Sequence, residues 1–349
     1  MHFAFTEQQL EFRDAVRQVL AKECTTDAVR AAYDAPLARS PRWATLADLG
    51  VAGLTVPEPH GGLGLGLVDL VPLVEEAGRV ALPEPLATTT GIAAPLLADL
   101  DAAGTADARI GPWLDGVAAG DLAVAVADGR WPGAPVAGAD GADLLLLVAD
   151  GADGRELHGV DASSVTVTPV PSLDPTRRLG TPVWAPSPDT VLVSGDRAEA
   201  HLATTGARAA VVTGAELLGL ADAMISLTAA YAKDRHQFGV PIGSFQAVKH
   251  LLAGAQVLLE FARPVVYGAA WALDTGSPDA SRAASVAKAY ASDAATEAAR
   301  VSLQVHGAIG YTWECDLHLF LKRTWALAEA WGSADDHRAR LLDSLLAGR

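Results

Sequence analysis

The chain has 349 residues, half of them apolar, a formal charge of −16 at pH 7 and two cysteines. Its size and apolar content suffice for a large core in two or three packed units. The acidic balance excludes a nucleic-acid groove or an anionic membrane face, because both need clustered Lys and Arg.

The N-terminus, MHFAFTEQQLEFRDAV, lacks the basic start and apolar core of a signal peptide. Cys24 and Cys315 are far apart and make no disulfide framework. The longest aliphatic runs, such as Leu144 to Val148, fall far short of the roughly 20 residues of a membrane span. A soluble cytoplasmic protein with reduced thiols and no metal site is expected. Residues 6–100 read as helical. Thr6 followed by Gln9 predicts a capping box, and Leu10, Phe12, Val16, Val19 and Leu20 recur near helical spacing. A further helix is predicted over Trp43 to Leu49, stopped by Gly50; loop chemistry follows from Pro57 to Gly66, then helix from Val68 to Gly78.

Between about 120 and 200 the language changes to short apolar stretches (122–126, 144–149, 164–170, 190–194) separated by Gly, Asp and Pro. These predict a small antiparallel β-domain, since the spacers are too short for βαβ crossovers. From about 203 onward helix returns. Leu217, Leu220, Ala221, Met224, Leu227 and Tyr231 form one stripe, and Val248, Leu251, Leu252, Ala255, Leu258 and Leu259 another. A third long helix is predicted from Asp279 to Gln304 and a last one from near Ser333, so the end of the chain reads as an antiparallel four-helix bundle. The expected fold is α+β and mainly α: a helical domain (1–104), a reduced middle β-domain (105–202) and a bundle (203–349).

Three segments carry candidate chemistry. The glycine run from His60 to Gly66 imitates a dinucleotide loop but lacks the preceding strand, and Pro57 and Pro59 lead into it, so it reads as an inter-helix loop. The segment Asp234 to His250 joins two helices through Gly239 and Pro241. There Arg235 can meet a pyrophosphate bidentately, Phe238 offers a flat surface to an adenine or ribose, and Gln237 and Gln246 offer amides to hydroxyls. Taken alone, an ordinary helix–turn–helix presents the same residues. In Gln304 to Glu314, Gly307, Ala308 and Gly310 at a helix end allow close backbone approach to another group, with Gln304 on the last turn; a Gly-terminated helix over a core His306 is the plainer reading.

Together, R-x-Q-F-G-x-P-I-x-x-F-Q-A-V-K-H and, some 50 residues later, Q-x-H-G-x-x-G-Y-T-x-E resemble the acyl-CoA dehydrogenase family, and F-T-E-Q-Q-L-E-F-R-D-A-V-R, W-A-T-L-A-D-L-G-V-A-G-L-T-V-P-E and G-G-L-G-L-G-L-V-D-L are similar to its first helical domain. The resemblance implies FAD as cofactor and α,β-dehydrogenation of an acyl-CoA thioester. It implies that Arg235, Gln237 and Phe238, helped by Phe245 and Gln246, face the pyrophosphate and adenosine, and that Gln304, Val305, Gly307 and Ala308 contact the ribityl and diphosphate. Ala308 stands where Gly is usual. The family's base, counted 27 residues after the motif Gln, falls on Trp331; the alternative base, 26 residues before the motif Arg, falls on Ala209. Neither accepts a proton, leaving Glu329 as fallback and Glu216 as a weaker candidate. The flavin-cradling A-x-T-E-P loop and W-I-[ST] strand are also absent, the matching region reading Ala123 to Pro132 as AVAVADGRWP. Loss of the ring-and-substrate half with retention of the ADP half resembles the short subunits of actinobacterial heteromeric acyl-CoA dehydrogenases. This implies an α2β2 tetramer with two FADs, a longer catalytic partner, and electron-transfer flavoprotein as acceptor. An autonomous dehydrogenase using Glu329, and a non-catalytic flavin or acyl-CoA binder, are the alternatives.

Overall fold

The computed structural model describes residues 4–34, 40–105 and 107–347. In chain order its helices are α1 (Glu7–Glu23), α2 (Thr26–Asp34), α3 (Pro41–Asp48), α4 (Leu67–Arg79), α5 (Leu86–Thr88), α6 (Ala94–Ala102), α7 (Ile110–Ala118), α8 (Gly195–Asp234), α9 (Gln246–Asp274), α10 (Ala280–His306), α11 (Leu317–Glu329) and α12 (Ala334–Ala347). The strands are β1 (Val124–Val126), β2 (Leu144–Gly151), β3 (Gly154–Asp161), β4 (Thr166–Pro169), β5 (Gly180–Val183), β6 (Val191–Ser194), β7 (His236–Gln237) and β8 (Val240–Pro241). The fold is mainly helical with a small β-region, as the hydrophobic periodicity predicts. The predicted capping box is present: Thr6 Oγ1 accepts from Gln9 N, and Gln9 Oε1 accepts from Thr6 N. Two helices, α7 and α11, and four strands, β3, β5 and the two-residue β7 and β8, escape the sequence patterns. α7 lies in the weakest stretch of the reading, and α11 is buried on most of its surface, with His318, Arg323 and Thr324 buried as well as Leu317, Leu319, Phe320, Leu321 and Leu327, so an apolar stripe does not mark its buried faces. β3 and β5 are interrupted by Gly, Arg or Pro. The main sheet has the order β1-β2-β3-β6, and β1 joins β2 in parallel while the other pairs are antiparallel.

The chain divides into two compact units: residues 1–30, 71–82 and 213–349, and residues 31–70 and 83–212. The second holds the β-region and a five-residue π-turn, Thr89–Ala93, between α5 and α6. Widened helical turns of this kind leave backbone groups to be satisfied from outside. Here Thr55 Oγ1 donates to Thr90 O, Thr90 Oγ1 to Ala52 O, and Thr89 Oγ1 accepts from Val124 N.

The first unit is built on a contact between helix backbones. A Cβ added to Gly219 would overlap the Glu75 carbonyl oxygen, and one on Gly78 would overlap that of Glu216. Glycine at both positions lets α8 and α4 touch main chain to main chain. Around that crossing lie buried charges. Arg17 grips Glu76 through two bonds of 2.9 and 2.6 Å, Arg263 donates to Glu75 at 3.0 Å, Tyr267 donates to Glu75, and Arg79 pairs with Asp222. Arg323 closes the cluster on the Leu82 carbonyl and lies 3.5 Å from Glu216. The long helix α8 is apolar enough by length and composition to cross a bilayer, but 78% of its most apolar window is buried inside the protein. Neither cysteine is in a disulfide among the described residues.

Gly219→Ala is expected to lose about 3 kcal/mol or more, at or above the upper end for overpacking, because backbone and not a side chain blocks the new methyl. Gly268→Ala, in the interior of α9 with nothing within 4 Å of its Cβ position, is expected to gain about 0.5–1 kcal/mol. Denaturant midpoints of the two variants check the contrast.

Candidate functional site

Helix α8 ends at Asp234, and the chain turns back through a two-residue hairpin whose strands pair His236 with Pro241 and Gln237 with Val240. The tip residues, Phe238 (φ 54°) and Gly239 (φ 79°), are both left-handed, the combination that a type I′ hairpin requires. Glycine adopts that conformation freely; a phenylalanine there costs about 1–2 kcal/mol. The ring is 92% exposed and meets only Phe245, edge-on at 6.2 Å between centroids. A strained, solvated aromatic side chain has no folding role that would retain it.

Arg235 stands at the base of this hairpin. Its backbone is fixed at both ends, N–H donating to Tyr231 O and carbonyl accepting from Ile242 N, each at 2.8 Å. Its exposed guanidinium has no ion pair among the described residues. Most arginines among the described residues are paired, so an exposed guanidinium without an ion pair, on the same hairpin as an exposed phenyl ring, fits a ligand carrying both anionic and planar groups. Gln237 donates its amide back to His236 O at 2.8 Å, and Gln246 opens α9 in an exposed position.

The second segment lies at the end of α10, and the structure brings it to the first. Tyr231, one turn before Arg235, stacks on His306 with centroids 4.4 Å apart and planes inclined by 17°. His306 Nδ1 lies 2.8 Å from Ser302 O, and burial lowers the pKa of the ring, keeping it neutral in the stack. The sequence reading of His306 as a core residue therefore accounts for its burial, and its ring is also the bridge between the two segments. Gln304, Gly307 and Ala308 are exposed and Val305 is half-buried. Gly307 has φ 64° and ψ −139°, a conformation essentially reserved for glycine, and nothing lies within 4 Å of where its Cβ would be. That backbone can be approached closely from outside. A free guanidinium, an exposed ring, two exposed glutamines and an open glycine backbone fit the pyrophosphate, adenine and hydroxyls of a dinucleotide such as FAD.

The positions where a catalytic carboxylate is sought present a different picture. Ala209 is fully buried on α8, in the second unit. Trp331, in the first unit, occupies a turn between α11 and α12 and is left-handed (φ 58°), followed by Gly332 at φ 107°. This turn is clamped. Lys288, buried to 0% exposure, donates to Ser292 Oγ at 3.0 Å, Ala328 O at 2.8 Å and Gly332 O at 3.0 Å; the buried His337 holds Trp331 O at 3.1 Å. Glu329 is exposed and lines a cavity of about 350 Å³ together with Asp293 and Glu297, and the indole of Trp331 is not among its walls. Glu216 lies beside Arg323 at the helix crossing. The clamp was missed in the sequence, although Lys288 carries a signal: it is a cation in an alanine-rich helix with no carboxylate three or four residues away, whereas Arg282 and Arg300 in the same helix each have one. In the second unit, the stretch Ala123 to Pro132 forms β1 and a turn held by an Arg130–Asp128 pair, with Trp131 exposed.

Comparison with known proteins identifies the family. Residues 6–121 match the model of the acyl-CoA dehydrogenase N-terminal domain, and residues 203–346 that of the C-terminal domain. The acyl-CoA dehydrogenase IpdE2 of Mycolicibacterium smegmatis is 34% identical over 338 residues, covering 96% of this chain and 98% of its own. FadE34 of Mycobacterium tuberculosis, also an acyl-CoA dehydrogenase, is 39% identical over 288 residues, which are 81% of this chain but 39% of that protein. Among solved structures, a variant of the Tcur3481–Tcur3483 steroid ACAD superimposes with a TM-score of 0.84 at 30% identity, covering 98% of both chains. The chain belongs to the acyl-CoA dehydrogenase family of FAD-dependent oxidoreductases.

Proposed function

We propose that this chain completes the FAD site of a two-chain acyl-CoA dehydrogenase whose longer partner carries the catalytic base. The observation that carries the reading is the contrast within the first unit: one hairpin presents a strained, exposed Phe238 and an Arg235 with no ion pair among the described residues, while the turn at the family's base position presents an indole. Arg235 would neutralise the pyrophosphate, Phe238 and Phe245 would face the adenine, and Gln237 and Gln246 the adenosine hydroxyls. Gln304, Val305, Gly307 and Ala308 would line the ribityl and diphosphate. When bound, FAD accepts the β-hydrogen of the acyl thioester as hydride, with a carboxylate taking the α-proton. On this reading the chain supplies no such carboxylate: Trp331 and Ala209 cannot accept a proton, and Glu329 lies in a cavity that none of the grip residues lines.

Two comparisons support the reading. The 30% identical structural relative is a steroid ACAD named for a pair of components, and most of FadE34 lies outside the stretch that this chain matches. A CoA thioester of a steroid side chain or a fatty acid is the proposed substrate and electron-transfer flavoprotein the proposed acceptor, in an α2β2 assembly.

The direct test is the flavin-to-protein ratio of the chain expressed alone and with a longer dehydrogenase partner, each beside a native mass. One FAD per pair of unlike chains, and little FAD on the single chain, is the expected result; one FAD per chain in a homo-oligomer would refute it. In the complex, Arg235→Ala is expected to weaken FAD binding about 10- to 100-fold, the equivalent of ~1.5–3 kcal/mol for charge-assisted hydrogen bonds, read by flavin fluorescence on dilution. Phe238→Gly is expected to raise the unfolding free energy of the chain by about 0.5–1 kcal/mol, by relieving the left-handed strain, while weakening FAD binding several-fold; a thermal melt and a flavin titration report the two effects separately. Glu329→Gln is expected to leave kcat of the complex within about twofold, since a base lost from the reaction would cost at least ~100-fold.

A further inference from the structure

Two stacked rings join the segments of the grip without being counted in it. Tyr231 is half-buried on the last turn of α8, and His306, buried, is the last residue of α10. Their centroids lie 4.4 Å apart with the planes inclined by 17°. Two flat side chains stacked in this way hold two helix ends at one separation and one orientation.

Each ring is tied to one half of the grip through the main chain. Tyr231 O accepts the Arg235 N–H at 2.8 Å, so the start of the hairpin hangs on the residue that carries the first ring. His306 is followed directly by Gly307, whose N–H donates to Leu303 O. The second ring is tethered through Nδ1, 2.8 Å from Ser302 O, and Ser302 Oγ donates to Met224 O on α8 at 3.2 Å. From the other side the turn after α10 closes on it: a Cβ on Gly310 would lie 3.1 Å from His306 Cβ and 3.0 Å from Leu303 Cδ1. The hairpin itself is paired through two residues on each strand, and so small a hairpin is not stable alone.

We propose that Tyr231 and His306 are positioning residues of the FAD grip. Their stack fixes the distance between the Arg235 half and the Gln304 and Gly307 half, so that both bind one dinucleotide as a unit. The inference rests on the reading of those residues as an FAD grip, and it adds what makes two distant segments act together. A dinucleotide has many rotatable bonds, and a site whose halves are already set loses less entropy on binding it. Neither ring needs to touch the cofactor for this. A stack that only filled the core would stabilise the fold and leave the two halves independent.

The test measures FAD dissociation by flavin fluorescence on dilution, in the FAD-loaded assembly that contains this chain. Arg235→Ala, Gln304→Ala and their combination are compared in the wild-type and in the Tyr231→Leu background. In the wild type the combined loss is expected to fall about threefold or more short of the product of the two single losses. In the Tyr231→Leu background FAD is expected to bind about fivefold more weakly from the outset, and the two losses to multiply within about twofold. Tyr231→Phe, which keeps the ring, is expected to retain affinity and coupling within about twofold. His306→Asn, which keeps an N–H for Ser302 O but no ring, repeats the comparison where Tyr231→Leu does not fold, with the same result expected. Losses that multiply in the wild type, or coupling that survives removal of either ring, would overturn the positioning role and leave the grip standing. No weakening from either Arg235→Ala or Gln304→Ala would overturn the grip, and the role of the stack with it.

Discussion

The first unit depends on the close approach of α8 and α4 at Gly219 and Gly78. Two helices in backbone contact leave no room for side chains between them, so the charged residues flanking the crossing are forced together at its edges. Glu75 and Glu76 lie buried there, and a buried carboxylate persists only where cations and hydrogen-bond donors surround it. Arg17 from α1, Arg79 from α4, and Arg263 and Tyr267 from α9 provide that surrounding. The crossing thus recruits α1 and α9 as well, and it sets the direction in which α8 emerges. The hairpin with Arg235 and Phe238 begins where that helix ends.

The same unit holds two left-handed non-glycine residues with different support. Trp331 is braced from beneath: Lys288 grips carbonyls on both sides of it and His337 holds its own carbonyl. Phe238 has no such brace beyond its two-residue hairpin and an edge contact with Phe245. Braced strain belongs to a turn whose shape is maintained by the core. Unbraced strain on an exposed ring is the observation on which the proposal of a ligand at the hairpin rests.

Much of the architecture was legible from periodicity and capping. The helix from Val68 to Gly78, the stripe on α8, the long α10 and the Thr6–Gln9 box all appear within a residue or two of their predicted places, because each is decided by contacts three or four residues apart. α11 was not legible, since a helix buried on nearly all faces shows no stripe. The parallel pairing of β1 with β2 was not legible either: strand patterns reveal faces but not partners. In the candidate site, Arg235, Phe238, Gln304 and Gly307 were readable as residue types in a pattern. Their convergence was not, because it passes through the Tyr231–His306 stack, and the two halves of that contact are 75 residues apart in the chain.

By itself, then, the sequence determined the mainly helical class, the family, the residue types of the proposed dinucleotide grip and the absence of a carboxylate at positions 209 and 331. Those are local properties, written in spacing and side-chain chemistry. Only the tertiary structure decided that Phe238 is strained and exposed, that Arg235 has no ion pair among the described residues, and that a buried lysine shapes the Trp331 turn. Each of these is a statement about which distant groups do or do not surround a side chain, and burial and partnership of that kind exist only once the chain has packed.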